Sequence, residues 1–159
     1  SKTNYRLLIT QGMAQKDYVL WKYSLLKNWI LSEPRYYDRT KSLTIRTISH
    51  PELTELRKII PSNIAELIRN PITLTVWFMD DGNVKRNKSA VGGYHLNTQS
   101  FTNEENKFLA DVLMDVYGLA CSVQENHGYY RLYVLKNSVV RFKNTIDSLV
   151  IPSMKYKLG

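Results

Sequence analysis

Residues 70–82 read Asn70-Pro71-Ile72-Thr73-Leu74-Thr75-Val76-Trp77-Phe78-Met79-Asp80-Asp81-Gly82. Asn70 suits a helix N-cap, and Pro71 suits the first helical position, where an amide would find no intrahelical partner anyway. Leu74, Val76, Trp77, Phe78 and Met79 leave almost no polar face, so the stretch predicts a helix over 71–81 that is buried nearly all round. Gly82 stops it. Asp80 and Asp81 then lie at the helix C-terminus, where the macrodipole already carries about half a negative charge, and something cationic must compensate. A hard divalent ion such as Mg²⁺ prefers oxygen ligands of this kind. A solvated helix stop and turn is the other reading of Asp80-Asp81-Gly82.

Composition narrows the choice. At 159 residues the chain suits one domain or two tightly fused halves. With 23% charged and 43% hydrophobic residues it is neither disordered nor membrane-like, and no apolar run approaches a membrane span. There is no signal-peptide pattern. Cys121 is the single cysteine, read as a buried inert thiol, so no intrachain disulfide forms and an intracellular or organellar setting is expected. A net charge of +8 and a pI near 9.5 favour polyanionic partners, nucleic acid before acidic membrane. Eleven tyrosines and three tryptophans among those basic residues fit a surface on which nucleic acid docks, or a core.

Taken in order, residues 4–11 read as a strand, 15–31 as a helix with Val19, Tyr23, Leu26 and Ile30 on one face, 35–41 as a polar link and 43–48 as a strand. Pro51 opens a helix ending at Ile60-Pro61-Ser62. After Gly82 come a basic strand or turn over 84–88 and a strand over 90–99. Thr102 and Glu105 form a capping box for a helix with Phe108, Leu109, Val112, Leu113 and Val116 inward, stopped by Gly118. Strands over 120–126 and 129–135 precede a last helix capped by Ser138, with Val139, Phe142, Ile146 and Leu149 inward.

A repeat runs through this order. Ile9-Thr10-Gln11 answers Asn97-Thr98-Gln99, 88 positions on, and Ile60-Pro61-Ser62 answers Ile151-Pro152-Ser153, 91 positions on. The halves are residues 1–70 and 71–159. Twenty-seven residues from Pro71 precede Thr98 but only nine precede Thr10. The first half therefore lacks an acid-tipped helix of its own, as though a longer parent had been truncated or rearranged.

These landmarks resemble the LAGLIDADG homing endonucleases, in the monomeric branch with two motifs in one chain. Leu74 to Gly82 occupies the motif positions. Trp77-Phe78-Met79-Asp80-Asp81-Gly82, Leu96 to Thr102 and Ile151 to Leu158 carry the likeness. The resemblance implies an α+β fold of two αββαββα halves, each with a saddle-shaped antiparallel sheet facing DNA, the first half without its leading helix. It also implies double-strand cleavage with Mg²⁺ or another divalent cation bound at the motif acids. By position, Asp81 is the metal-binding acid, while Asp80 occupies the alanine position of the motif. Gln99 and Gln11 fall where a glutamine orients attacking water. Lys58 and Lys157, with Lys155 in reserve, fall where a basic residue supports the transition state.

DNA would be read by exposed strand faces, because a two-stranded ribbon fits the major groove. His95, Asn97 and Gln99 alternate on one such face, with Lys85, Arg86 and Lys88 around them and Arg6, Arg46 and Arg131 on other strands. A slip of one residue would invert these assignments. Uncovered, the motif helix would expose large apolar side chains, each worth about 1.5–3 kcal/mol when buried, so a partner segment, a second chain or self-association is expected to cover it. Two function classes follow: a metal-dependent site-specific endonuclease, or a non-cleaving binder such as an intron-splicing maturase acting on RNA. An enzyme of small acidic metabolites fits less well, for want of a Gly-rich phosphate loop or a Ser-His pair.

Overall fold

The computed structural model describes residues 4–159, and the side chains of all of them except 60–62 and 126. Ser1-Lys2-Thr3 lies outside the described residues. Contacts divide the chain into two compact units that meet between Asn63 and Ile64.

In the first unit, strand β1 (Leu8–Gly12) leads through a 3-10 turn to helix α1 (Lys16–Leu25), then to β2 (Arg35–Tyr37), β3 (Ser42–Arg46) and the larger part of helix α2 (Pro51–Ile68), whose residues from Ile64 on belong to the second unit. The sheet is antiparallel in the order β1-β3-β2. Val19, Ile30, Leu43 and Ile45 form its buried centre, with Ile9, Tyr23 and Leu26 packed against them. The helix expected over 15–31 is thus α1 flanked by 3-10 turns at Met13–Gln15 and Lys27–Trp29. The strand expected from residue 4 joins the ladder only at Leu8, although the Tyr5 and Leu7 carbonyls already accept from the His50 and Thr47 amides at 3.1 and 3.0 Å. Sequence reading took 35–41 for a link because β2 is exposed along its whole length, and an edge strand without a buried side shows no alternation. Helix α2 does not end at Ile60-Pro61-Ser62. It continues to Ile68 through a break at Asn63 (φ −118°, ψ 19°), two residues beyond Pro61.

The second unit contains helix α3 (Pro71–Asp81), β4 (Gly82–Asn87), β5 (Ala90–Leu96), helix α4 (Asn103–Tyr117), β6 (Cys121–Asn126), β7 (Tyr129–Val134), helix α5 (Val139–Ile146) and a 3-10 segment, Pro152–Leu158. Its antiparallel sheet runs β4-β5-β7-β6. Leaving out β4, the order β5-β7-β6 reproduces β1-β3-β2, the topology that the repeat implies. Tyr94, Leu96, Leu132 and Val134 point to one side of the sheet and are fully buried. Phe78 of α3 and Phe142 of α5 meet Tyr94 there, with ring centroids 5.4 and 4.7 Å from it and 5.1 Å from each other. Such aromatic contacts add about 0.5–1.5 kcal/mol beyond area burial.

Three local expectations are corrected. Helix α3 is buried on one side rather than all round: Leu74, Thr75, Phe78 and Met79 point inward, Val76 and Trp77 are half-buried and Ile72 is exposed. Phe108 is half exposed, because the inward stripe of α4 runs through Leu109, Val112 and Leu113 and leaves it at the margin. Ser138 does not cap α5 with its side chain; its Oγ accepts the Ala120 amide at 2.8 Å and ties the helix start to the beginning of β6. Asn70, by contrast, caps α3 through Oδ1 on the Ile72 amide at 3.0 Å, and Thr102 and Glu105 form the expected box. Among the described residues no helix is long and apolar enough to cross a membrane.

Candidate functional site

At the tail of α3 the chain passes without a loop into β4. Gly82 is extended (φ −88°, ψ 154°), so it is not needed for a left-handed turn. It is needed for space, since a Cβ there would meet the Phe78 ring and lie 2.5 Å from the Phe78 carbonyl oxygen. The carbonyls that α3 leaves without helical partners are met by a cation: Lys157 Nζ donates to Met79 O at 2.5 Å and Asp80 O at 3.2 Å. Asp80 and Asp81 themselves are exposed. Lys155 is held elsewhere, on the carboxylate of Asp147 at 2.8 Å and on its carbonyl. The structure thus brings Lys157, not Lys155, to the acidic end of the helix.

The strand expected to reach 99 ends at Leu96, so Asn97 and Gln99 lie in the turn beyond β5. From there a row of polar side chains runs onto the sheet to His95, which is buried rather than exposed. The Asn97 amide donates to the Asp81 carbonyl at 3.0 Å, fixing the end of β5 to the end of α3. Gln99 Nε2 donates to Asn97 Oδ1 (3.3 Å), and Asn97 Nδ2 donates to Asn83 Oδ1 (3.3 Å). Asn83 lies opposite His95 in the ladder, and its Nδ2 is 3.4 Å from His95 Nδ1. His95 Nε2 is 3.2 Å from Gln124 Oε1. With the amides turned this way the row calls for the Nε2–H tautomer of His95, accepting at Nδ1; with all of them reversed it would call for the Nδ1–H one.

Its surroundings favour the neutral ring. Burial pushes the His95 pKa below its ordinary value, Arg131 and Lys85 push it the same way, and the Gln124 hydrogen bond opposes them. Tyr133 packs beside it with ring centroids 5.0 Å apart, and Lys85 Nζ stands 5.4 Å over the Tyr133 ring. Gly93 leaves room for that ring, since a Cβ there would strike it, and the Tyr133 hydroxyl donates to Gly92 O at 2.8 Å. Arg131 is the ladder partner of Gln124. The result is a basic, hydrogen-bonding strand surface that begins where the acid-ended helix stops.

Residues 1–142 match the model of the LAGLIDADG DNA endonuclease family. The chain belongs to that family. It is 31% identical to the probable intron-encoded endonuclease 1 of Wickerhamomyces canadensis, an alignment spanning 99% of this chain and 75% of that protein. It is 27% identical to the cytochrome b mRNA maturase bI2 of Debaryomyces hansenii over 97% of this chain and 64% of that one. Its fold is similar to that of the homing endonuclease I-WcaI bound to its DNA recognition sequence. That match has a TM-score of 0.84 and 25% identity, and covers 98% of this chain and 76% of that one.

Helix α3, with Gly82 at its end, spans the residues that the sequence likens to the family's motif. Within its unit the structure gathers Asp81, Lys157, Gln99, Asn97, His95, Lys85 and Arg131 around the helix tail and the adjoining strand face. It separates two others from them. A β-bulge follows Lys85, and Arg86 lies near the Tyr94 phenol and Gly159, on the core side. Lys88 sits in the hairpin turn with φ 55°. In the first unit Gln11 is half-buried near the end of β1, opposite Leu43, and Arg6 is exposed just before that strand. Arg46 is exposed at the end of β3, and Lys58 is exposed on α2 in an ion pair with Glu55 at 2.7 Å.

Sequence reading missed Asn83, Gln124 and Tyr133. Counting outward from the Asn87–Ala90 turn would have set Asn83 opposite Tyr94, because the bulge after Lys85 shifts the register by one. Tyr133 and Gln124 reach His95 only through the pairing of β5 with β7, strands far apart in sequence.

Proposed function

We propose that this chain is the body of a site-specific endonuclease that hydrolyses both strands of a long DNA site. The observation that carries the reading is the junction of Asp81 with Asn97: the carboxylate-bearing helix end is joined by a hydrogen bond to a cationic, amide-rich strand face. The donor set suits a magnesium-like ion. Asp81 supplies the oxygen of the kind that Mg²⁺ takes once or twice from protein, the rest coming from water and phosphate.

Asp81 would hold the ion, which when bound neutralises phosphate charge and activates water. Gln99 is assigned to orienting that water and Lys157 to stabilising charge that develops on the phosphate oxygens. In the other unit Gln11 and Lys58 take the corresponding roles. Lys85, Asn97 and Arg131 are assigned to DNA in one unit and Arg6 and Arg46 in the other, with Arg86 and Lys88 limited to phosphate contacts. His95, 5% exposed and bonded at both ring nitrogens, holds its neighbours rather than DNA. Ile72 leaves an exposed apolar residue on α3 that a further polypeptide segment or a second chain would cover.

The test is cleavage of a randomised DNA-site library with Mg²⁺ by wild type and by Asp81→Asn. Wild type should cut a small set of sequences, and Asp81→Asn should bind them and cut none. Retention of cutting by Asp81→Asn, or no cutting by wild type of any sequence it binds, rejects the reading. The similarity to a maturase favours one alternative, a non-cleaving binder of intron RNA. Its signature is tight, salt-sensitive binding to a structured RNA that Asp81→Asn leaves unchanged.

A further inference from the structure

The polar row on the second sheet has a direction. Reading from Gln99, every bond is donated toward Gln124: Gln99 to Asn97, Asn97 to Asn83, Asn83 to His95, and His95 to Gln124, at 3.3, 3.3, 3.4 and 3.2 Å. Four members of the row are carboxamides, whose ends are chemically distinct but nearly the same shape, so each could stand either way round. The imidazole is the member that decides. While Nδ1 is an acceptor, Asn83 must present Nδ2 to it, Asn97 must present Nδ2 to Asn83, and Gln99 must present Nε2 to Asn97. Gln99 Oε1 is then left as an acceptor that no described residue occupies. Gln99 also borders an open depression lined by Ser100, Phe101, Tyr129 and Tyr130.

We propose that His95 is a positioning residue: through Asn83 and Asn97 it holds Gln99 with Oε1, rather than Nε2, turned to the substrate. This rests on the nuclease reading, in which an acceptor at Gln99 is what a water O–H requires. An imidazolium donates from both nitrogens. Asn83 would then have to turn its oxygen to Nδ1, Asn97 and Gln99 would follow, and Gln99 would offer a donor where the reaction needs an acceptor. The groups facing the ring are Lys85 and Asn83 from β4, Arg131 and Tyr133 from β7, and Gln124 from β6. Burial first, and the two cations with it, favour the neutral ring and so the working direction of the row. Because Asn97 is also bonded to the Asp81 carbonyl, the same row sets where Gln99 stands relative to the motif acid.

The experiment has two arms on the full chain. In the first, ¹⁵N NMR of the free protein reads the His95 tautomer and follows the side-chain NH₂ resonances of Asn83, Asn97 and Gln99 against pH. The expected result is Nε2–H at neutral pH, with all three amides shifting at the His95 midpoint. Gln124→Glu, which can only accept, should move that midpoint up, and Gln124→Leu should move it down.

In the second arm, single-turnover cleavage at saturating protein should fall about tenfold per pH unit below the same midpoint, and the two variants should displace this acid limb in opposite directions. A merely structural Gln124 would lower the rate without moving the limb. An Nδ1–H tautomer, amides that ignore the His95 titration, or a cleavage limb that stays put while the NMR midpoint moves overturns the proposal. If wild type cuts nothing, the nuclease reading fails, and the tautomer and amide titrations still decide the hydrogen-bonded row.

Discussion

Gly82, His95, Tyr94 and Cys121 show how single side chains are constrained by what lies against them. Gly82→Ala places a methyl group on the Phe78 ring and carbonyl, and overpacking of this kind costs about 1–3 kcal/mol. Urea unfolding should show the loss as a lower midpoint at unchanged slope. Tyr94 donates to the Leu158 carbonyl at 2.9 Å, and burial, with Asp147 adding to it and Arg86 opposing it, pushes the phenol up to about 12. Tyr94→Phe strands that carbonyl and should cost about 1 kcal/mol.

For His95 the sign is set by a lowered pKa. The unfolded chain binds the proton more readily, so stability is full above the ordinary value of 6.5 and is lost as pH falls through it toward the lowered one. Melting temperature against pH should show this acid loss in wild type and much less of it in His95→Asn. Burial likewise pushes the Cys121 thiol up to about 12, so it should resist thiol reagents at pH 8 until the protein unfolds.

At the level of elements, α3 is held by a capped start, an aromatic contact in its middle and a cation at its end. Deleting the middle is most costly: Phe78→Ala removes a fully buried ring packed on Tyr94 and Phe142, for about 3–5 kcal/mol. Lys157→Met removes the charge that meets the last carbonyls and should cost about 1 kcal/mol while leaving the α3 fold intact. Under the proposed nuclease reading it should also slow single-turnover cleavage at saturating DNA, which separates its chemical role from its structural one. The sequence showed α3 plainly through Asn70, Pro71 and Gly82. It could not show which side of the helix is buried, since Val76 and Trp77 are as apolar as the residues that are.

For the whole molecule, a net charge of +8 makes nucleic-acid affinity strongly salt-dependent. If six or more phosphates are neutralised, binding should weaken about a thousandfold between 50 and 200 mM salt, and Arg131→Ala and Lys85→Ala should each lower the slope by about one. A slope near zero would argue against the proposed strand surface.

By itself the sequence determined the local events. Capping residues, helix stops and the repeated Thr-Gln and Pro-Ser landmarks depend on neighbours a few residues away, and the resemblance to the family rests on such short stretches. Only the tertiary structure decided which faces meet. It placed Lys157 seventy-seven residues from Asp80 in sequence and within hydrogen-bond reach of its carbonyl. It also set the bulge that separates Arg86 from Lys85, and put Asn83 and Gln124 on either side of His95. Those outcomes depend on ladder register and on packing between distant segments, and a one-residue slip, which leaves local propensity almost unchanged, reverses them.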